Sequence, residues 1–515
     1  MAEQEFVGHG TALSGQLVIA VGKRTAHSTR PPRQAGRSAP NSVQVSTEGV
    51  PVPQRLYQQA QAAIPQIDLV GLAPTMLAFM RANICSSAVV IEHKDQVPPF
   101  ALRTSQPGCV IASPSFTDVT NQDYVHHWVR DAAIVAMELA ASPQPDANGV
   151  DRTLCDYVAF SKLCQDNVAA DPNVDFFRAC FNIDGTPRDW SDQKDGPALQ
   201  SLAFIQAWPY LDATAKATAT QVAQNNLDEI VAQWDQDVEK FGPWEDVKGK
   251  SFFARATQVR FLEEVHKGTD LGLAEPDEFD TALNGLRKVL DDHWLPDKKL
   301  YSSVLNRQVG DPSQTDDSQY DPNSDVVMAC IYGSIACTDP KLLSTATQIR
   351  RSYVKGGSAA YPINDDETRG FGPLIGRYPS DRYDGNTADG IHDGRHPWAV
   401  CTLNLAQLYH RLANAFGTGQ DPVFNELTKP FFEDLGLDEA TVTGGSQPVV
   451  EALRTAGDKM LGAVIYHSDH FHLSEQFDAV TGYEKSVQDL TWSYAAYLSA
   501  ARERPKPPPS GPAGS

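Results

Sequence analysis

The sequence predicts an all-α fold, a closed (α/α)6 barrel in which six apolar inner helices alternate with six amphipathic outer ones. Three observations lead there. Period-two alternation is sparse, while Ala, Leu, Glu and Gln dominate the long segments. Six apolar, Ala-rich stretches stand out, at 127–141, 196–208, 251–266, 325–336, 397–416 and 490–501. Each follows a loop dense in Gly, Pro, Asp, Asn or aromatic residues, and the starts lie roughly 55 to 95 residues apart, room for a loop and a second helix in every interval. Periodicity alone does not close a ring, so an open α-solenoid stays as the alternative, although no sequence recurs at a fixed period.

The intervening helices are expected where charges keep to one face, at 213–240, 276–293 and 449–467. Residues 22–53 are rich in Arg, Pro, Ser, Gly and Gln, a composition that cannot offset its ordering entropy by burial. The expected organisation is therefore a flexible arm over 1–53, one large helical domain over 54–503 and a Pro/Gly/Ser-rich tail over 504–515.

With 43 Lys and Arg against 65 Asp and Glu, the chain carries a formal net charge of −22, which disfavours nucleic acid and anionic membrane surfaces as partners. A neutral substrate such as a sugar is compatible with that charge. No run approaches the roughly 18 apolar residues of a membrane helix; the longest early one is 17–21. Glu3 and Glu5 stand where a secretory leader would carry Lys or Arg, so export is not expected and the cytoplasm is the default. Cys85, Cys109, Cys155, Cys164, Cys180, Cys330, Cys337 and Cys401 show no CxxC or Cys/His spacing, which points to buried thiols and to no metal or other cofactor.

If the inner helices share one direction, the loops entering their N-termini converge. The first such loop ends on Tyr124, Trp128, Arg130 and Asp131; an Arg and an Asp side by side can grip vicinal hydroxyls, and an aromatic ring offers a platform for a sugar face. The same residues also read as an ordinary ion pair beside a core Trp. The second loop carries Trp190 and ends in Gly196-Pro197, with Pro suited to a helix start. The third places Glu245 and Asp246 after Trp244, a carboxylate pair beside an aromatic, an environment that raises one carboxyl's pKa toward proton donation. Taken alone, that segment reads first as a solvated acidic turn. The fifth adds Arg377, Asp381 and Trp398, and the sixth Glu475. Inverting glycoside hydrolysis needs one protonated and one ionised carboxyl about 6.5 to 9.5 Å apart, which two acids from different loops could supply.

Taken in order, these loops resemble the catalytic domain of fungal-type glucoamylases, glycoside hydrolase family 15. The matching motifs are Gly108-Cys-Val-Ile-Ala-Ser-Pro-Ser, Tyr124-x-x-x-Trp-x-Arg-Asp, Asp195-Gly-Pro-Ala-Leu, Trp244-Glu-Asp-Val-x-Gly-x-Ser-Phe-Phe, Gly376-Arg-Tyr-Pro-x-Asp, Pro397-Trp-x-x-Cys-Thr-Leu, Ser474-Glu-Gln and Asp489-Leu-Thr-Trp-Ser-Tyr. The resemblance implies an (α/α)6 barrel and release of β-D-glucose from non-reducing ends of α-1,4-linked glucans, with slower α-1,6 cleavage. It implies Glu245 as general acid and Glu475 as the base that activates water, with Tyr124 helping to hold that water. It implies Arg130, Asp131 and Arg377 as ligands of the terminal glucose and Trp128, Trp244 and Trp398 as pocket walls. Trp190, Asp246 and Asp381 complete the expected substrate contacts.

The chain departs from the family pattern at several points. Asp246 stands where a second Glu is usual, Trp190 aligns only across a one-residue gap, His126 replaces an aromatic hydroxyl, and 386–395 is an added segment. With only a short tail after the 491–494 motif, a starch-binding module is not expected, and an oligosaccharide or soluble polysaccharide is the expected partner of a monomer. A related barrel enzyme acting on dextran, trehalose or a glycosylated metabolite is the alternative. An inactive carbohydrate-binding protein and a phosphorolytic enzyme are the remaining rivals, the first disfavoured by the presence of both Glu245 and Glu475.

Overall fold

The computed structural model describes residues 68–88, 90–93, 101–115, 123–236, 240–310, 315–365, 370–385 and 394–504. All belong to one compact unit, Gln58–Ser515. The expected arm over 1–53, the tail beyond Arg504 and most of the added segment, 386–393, lie outside the described residues.

The helices in chain order are α1 (Ala73–Ala82), α2 (Val129–Ala141), α3 (Arg152–Ala170), α4 (Gly196–Ala207), α5 (Ala213–Ala232), α6 (Phe252–Lys267) and α7 (Phe279–Asp292). They continue with α8 (Asp325–Ile331), α9 (Pro340–Tyr353), α10 (Ala399–Gly417), α11 (Lys429–Glu433), α12 (Glu439–Gly444), α13 (Ser446–His467) and α14 (Thr491–Glu503). Burial separates two kinds. Twelve of the thirteen residues of α2 are buried and all seven of α8, whereas α5 buries eight of twenty. A helix apolar on every side belongs inside, and an amphipathic one covers it.

The inner set α2, α4, α6, α8, α10 and α14 is a ring: each packs on the next, and α14 returns to α2. That return contact excludes the open solenoid. It is fastened by Arg502, whose guanidinium holds both oxygens of the buried Glu138 across the α14–α2 seam. The outer layer is α1, α3, α5, α7, α9 and α13, one ahead of each inner helix, giving six hairpins. Asp151, Asp212 and Asp339 cap α3, α5 and α9 by accepting from first-turn backbone N–H groups.

The inner helix expected over 325–336 stops at Ile331. Gly333 turns the chain directly onto α6, where a Cβ would lie 2.7 Å from that of Ala256, and Ser334 N–H donates to Ala256 O at 3.1 Å. Close approach also sets the α10–α13 contact, since a Cβ on Gly457 would come within 2.4 Å of the His410 ring. The outer helices α1, α3 and α9 lie outside the three expected amphipathic segments.

The strands are short, two to six residues each, and lie in the loops. Those that matter for the site are β1 (Lys240–Phe241) and β2 (Val247–Ser251), antiparallel across a turn that carries Glu245.

Candidate active site

The six entrance loops meet at one end of the ring and are tied to one another there. Thr491 N–H donates to Ala112 O at 2.8 Å, Ala399 N–H to Glu475 O at 3.2 Å, and Ser324 N–H to Arg377 O at 2.9 Å. The indole of Trp244 donates to Asn323 Oδ1 at 2.8 Å, linking the loop before α6 to the loop before α8.

Glu245 occupies the β1–β2 turn with φ of +64°, a left-handed conformation that a non-glycine residue adopts at some cost and that is common at functional sites. Its carboxylate is surrounded by donors. Trp190 Nε1 reaches Oε2 at 2.5 Å, while Oε1 accepts from Gln193 Nε2 at 2.6 Å, Trp128 Nε1 at 2.9 Å and Ser191 Oγ at 3.2 Å. The amide orientation of Gln193 follows from its other end, since its oxygen accepts from Arg130 Nη1. Donors on both oxygens stabilise the anion that is left once a proton has been given away.

Glu475 lies across the Tyr124–Trp128 pair, whose ring centroids are 5.4 Å apart. Tyr124 donates its hydroxyl to Oε1 at 3.1 Å and shares a 2.7 Å contact with the Tyr383 hydroxyl; Ser486 Oγ donates to Oε2 at 2.5 Å. The side chain belongs to a residue only 3% exposed. Burial pushes its carboxyl up to about 7, against the opposing pull of Ser486, Arg377, Tyr383 and Tyr124. A carboxylate with a raised pKa is a stronger proton acceptor than a free one.

Arg377 stands in a box of four rings, its guanidinium carbon 4.9 Å from the centroid of Trp398, 5.0 Å from Tyr383, 5.4 Å from Tyr378 and 5.7 Å from Trp244. Asp381 grips it at two points, Nε to Oδ2 at 2.8 Å and Nη2 to Oδ1 at 2.6 Å. On the opposite side Arg130 pairs with Asp195 at 3.3 Å and Asp131 at 3.5 Å and lies 5.3 Å from the Trp492 ring. Burial raises the Asp131 carboxyl to about 7 despite Arg130.

Every residue expected to contact substrate lies at this end of the ring, but their neighbours give them different work. Asp246 is held by the Tyr378 hydroxyl at 2.6 Å and the Tyr320 hydroxyl at 3.0 Å, with Arg377 at 3.8 Å. Each of its oxygens accepts one tyrosine hydroxyl, and the side chain lies beside Arg377, as Asp381 does. Trp190, 43% exposed, binds Glu245 by its N–H and stacks under Arg188, whose guanidinium carbon is 4.4 Å from the ring. Gln193, Ser191 and Ser486 were missed, because a lone polar side chain on a loop carries no spacing signal. Trp492 lay inside a quoted motif without being singled out. Among the described residues no group of three or more His, Cys, Asp and Glu could hold a metal ion, and no helix is long and apolar enough to cross a membrane.

The family model described as Glycosyl hydrolases family 15 matches residues 96–502. Among similar proteins, the probable glucoamylase of Schizosaccharomyces pombe is 27% identical over 417 residues, covering 77% of this chain and 85% of that protein. The intracellular sporulation-specific glucoamylase of Saccharomyces cerevisiae is 26% identical over 464 residues, covering 80% and 81% respectively. In fold the chain is similar to the glucoamylase of Saccharomycopsis fibuligera, with TM-score 0.67 and 23% identity over 85% of this chain and 96% of that one. It is likewise similar to the glucoamylase of Hormoconis resinae, with TM-score 0.68 and 22% identity over 85% and 74%. With the family model covering most of its length and every loop of the ring in place, the chain belongs to glycosyl hydrolases family 15.

Proposed function

We propose that this family 15 hydrolase is an inverting, exo-acting glucosidase that releases β-D-glucose from non-reducing ends of α-1,4-linked glucans, and from α-1,6 links more slowly. Glu245 is the general acid and Glu475 the general base. The observation that carries the reading is the pair itself: two carboxyls from the loops before α6 and α14, each held by its own donors, joined across the Tyr124–Trp128 contact. Glycosyl transfer to water needs that division of labour. Glu245 gives its proton to the glycosidic oxygen as the bond from C1 to that oxygen breaks. A water attacks C1 from the opposite face and passes its proton to Glu475, with Tyr124 hydrogen-bonded to the same carboxylate. The products are glucose and a glucan one unit shorter.

Trp128, Trp190, Trp244 and Trp398 offer apolar walls to a sugar ring, and Arg377 and Arg130 offer cationic donors to its hydroxyls. The relatives named glucoamylase support the substrate class. Hydrolysis of maltose, maltoheptaose, isomaltose and trehalose at equal concentration tests the linkage. Maltoheptaose and maltose are expected to lead isomaltose, with trehalose last; preference for trehalose over both maltodextrins would overturn the assignment.

A further inference from the structure

Behind the loops that hold Glu245, a cavity of about 150 Å³ is lined by Lys194, Lys240, Lys250 and Arg255, together with Gln236, Ser251 and Asn306. Four cationic side chains around one space stand out in a chain of net charge −22. Lys194 is the telling member. Its neighbours Gln193 and Asp195 turn to Glu245 and Arg130, while Lys194 turns the other way, donates to Gln233 O at 2.8 Å and lies 5.6 Å from the Phe177 ring. It is only 4% exposed, and among the described residues no carboxylate lies within ion-pair distance of its ammonium. A buried ammonium with no carboxylate in direct contact is costly, and burial with Arg255 and Lys240 nearby pushes it down to about 7. Asp175 and Asp235 pull the other way. Asp175, at 2.5 Å, and Asp192, at 3.7 Å, engage the neighbouring Lys240.

The rest of the lining suits an anion. Ser251 caps α6 by accepting from Ala254 N–H, so the positive end of a sixteen-residue helix faces the same space as Ala254 and Arg255. Gln236, Ser251 and Asn306 add neutral donors, and the volume admits a tetrahedral oxyanion with a little water. A sugar would find few apolar surfaces there, since among the described residues Phe241 is the only ring in the lining.

We infer that this cavity is a binding site for a phosphate-class oxyanion, with Lys194, Lys240 and Arg255 as its charged ligands, separate from the carboxylates that act on the glucan. The anion neutralises Lys194 and joins three segments: the loop before α4, strand β1 and the start of α6. Two of these carry groups that hold or bear Glu245.

The test measures thermal unfolding of the full chain with inorganic phosphate, sulfate or methyl phosphate in the low millimolar range, against chloride at matched ionic strength. Phosphate is expected to raise Tm saturably and chloride not. A methyl phosphate effect equal to that of phosphate assigns the site to phosphate monoesters as well; phosphate alone assigns it to the free ion. Lys194→Met keeps the length of the side chain and is expected to weaken the apparent phosphate affinity about tenfold or more. Equal Tm responses to phosphate and chloride, or an unchanged affinity in Lys194→Met, would overturn the inference. Should that variant fail to fold, a selenate soak of the unaltered protein decides: an anomalous peak between Lys194 and Lys240 is expected, and its absence rejects the site.

Discussion

Trp190 donates its indole N–H to Oε2 of Glu245 at 2.5 Å, while Trp128 donates to Oε1 at 2.9 Å, so one carboxyl is held from both sides by two tryptophans of different loops. The two rings meet edge to face, 6.5 Å apart at 90°. This clasp fixes the direction in which Glu245 presents a proton.

Trp190→Phe removes the donor and keeps most of the ring. Because the hydrogen bond is strongest when Glu245 is anionic, its loss falls on the transition state, and kcat on maltotriose is expected to drop about tenfold with a smaller change in KM. Steady-state kinetics check it. A rise in KM at constant kcat would instead make Trp190 a binding wall only.

The two acids are separable by leaving group. Glu245→Gln is expected to slow maltose hydrolysis by about two to four orders of magnitude, because the glycosidic oxygen then leaves unprotonated. α-Glucosyl fluoride needs no such proton, so Glu245→Gln retains most of its activity on it. Glu475→Gln is expected to lose activity on both substrates, since the attacking water is common to them. The reverse pattern would exchange the two roles.

Ser486 donates to the ionised form of Glu475. Glu475 must be ionised to act as a base, and burial already holds its carboxyl up at about 7, so the acidic limb of kcat/KM is expected above the free glutamate range. Removing the donor disfavours the anion and raises that pKa further. Ser486→Ala is therefore expected to move the acidic limb to higher pH, with the largest loss of activity below neutrality. An unmoved limb would assign that ionisation to another group.

Arg377 and Asp381 form a buried pair that the fold uses as a girder. Asp381→Ala strands the guanidinium, 3% exposed, without its bidentate partner, leaving the more distant Asp246 and Glu475 as counter-charges. The expected destabilisation is about 3 to 5 kcal/mol by denaturant unfolding. A loss under about 1 kcal/mol would show that the four rings hold Arg377 unaided.

The inner helices were legible because burial on all sides writes an uninterrupted apolar, Ala-rich run, and five of the six end within two residues of the expected boundaries at both ends. Closure was not legible, since the Glu138–Arg502 bond joins residues 364 positions apart and neither has a local pattern. The same holds in the site. Glu245, Trp128 and Arg377 sit in motifs rich in rare residue types, whereas Gln193 and Ser486 act through single contacts made by folding. Asp246 is expected to contact sugar because the family resemblance places an acid there; its bonds to the hydroxyls of Tyr320 and Tyr378, distant in sequence, are made only by folding.

The central claim is that Glu245 and Glu475 act on opposite faces of the sugar, and the anomer released first reports on it directly. Proton NMR of maltotriose hydrolysis, followed before mutarotation equilibrates the product, is expected to show β-glucose appearing ahead of α-glucose. Initial α-glucose would mean retention and would contradict the assignment of Glu475 as the base of a single displacement.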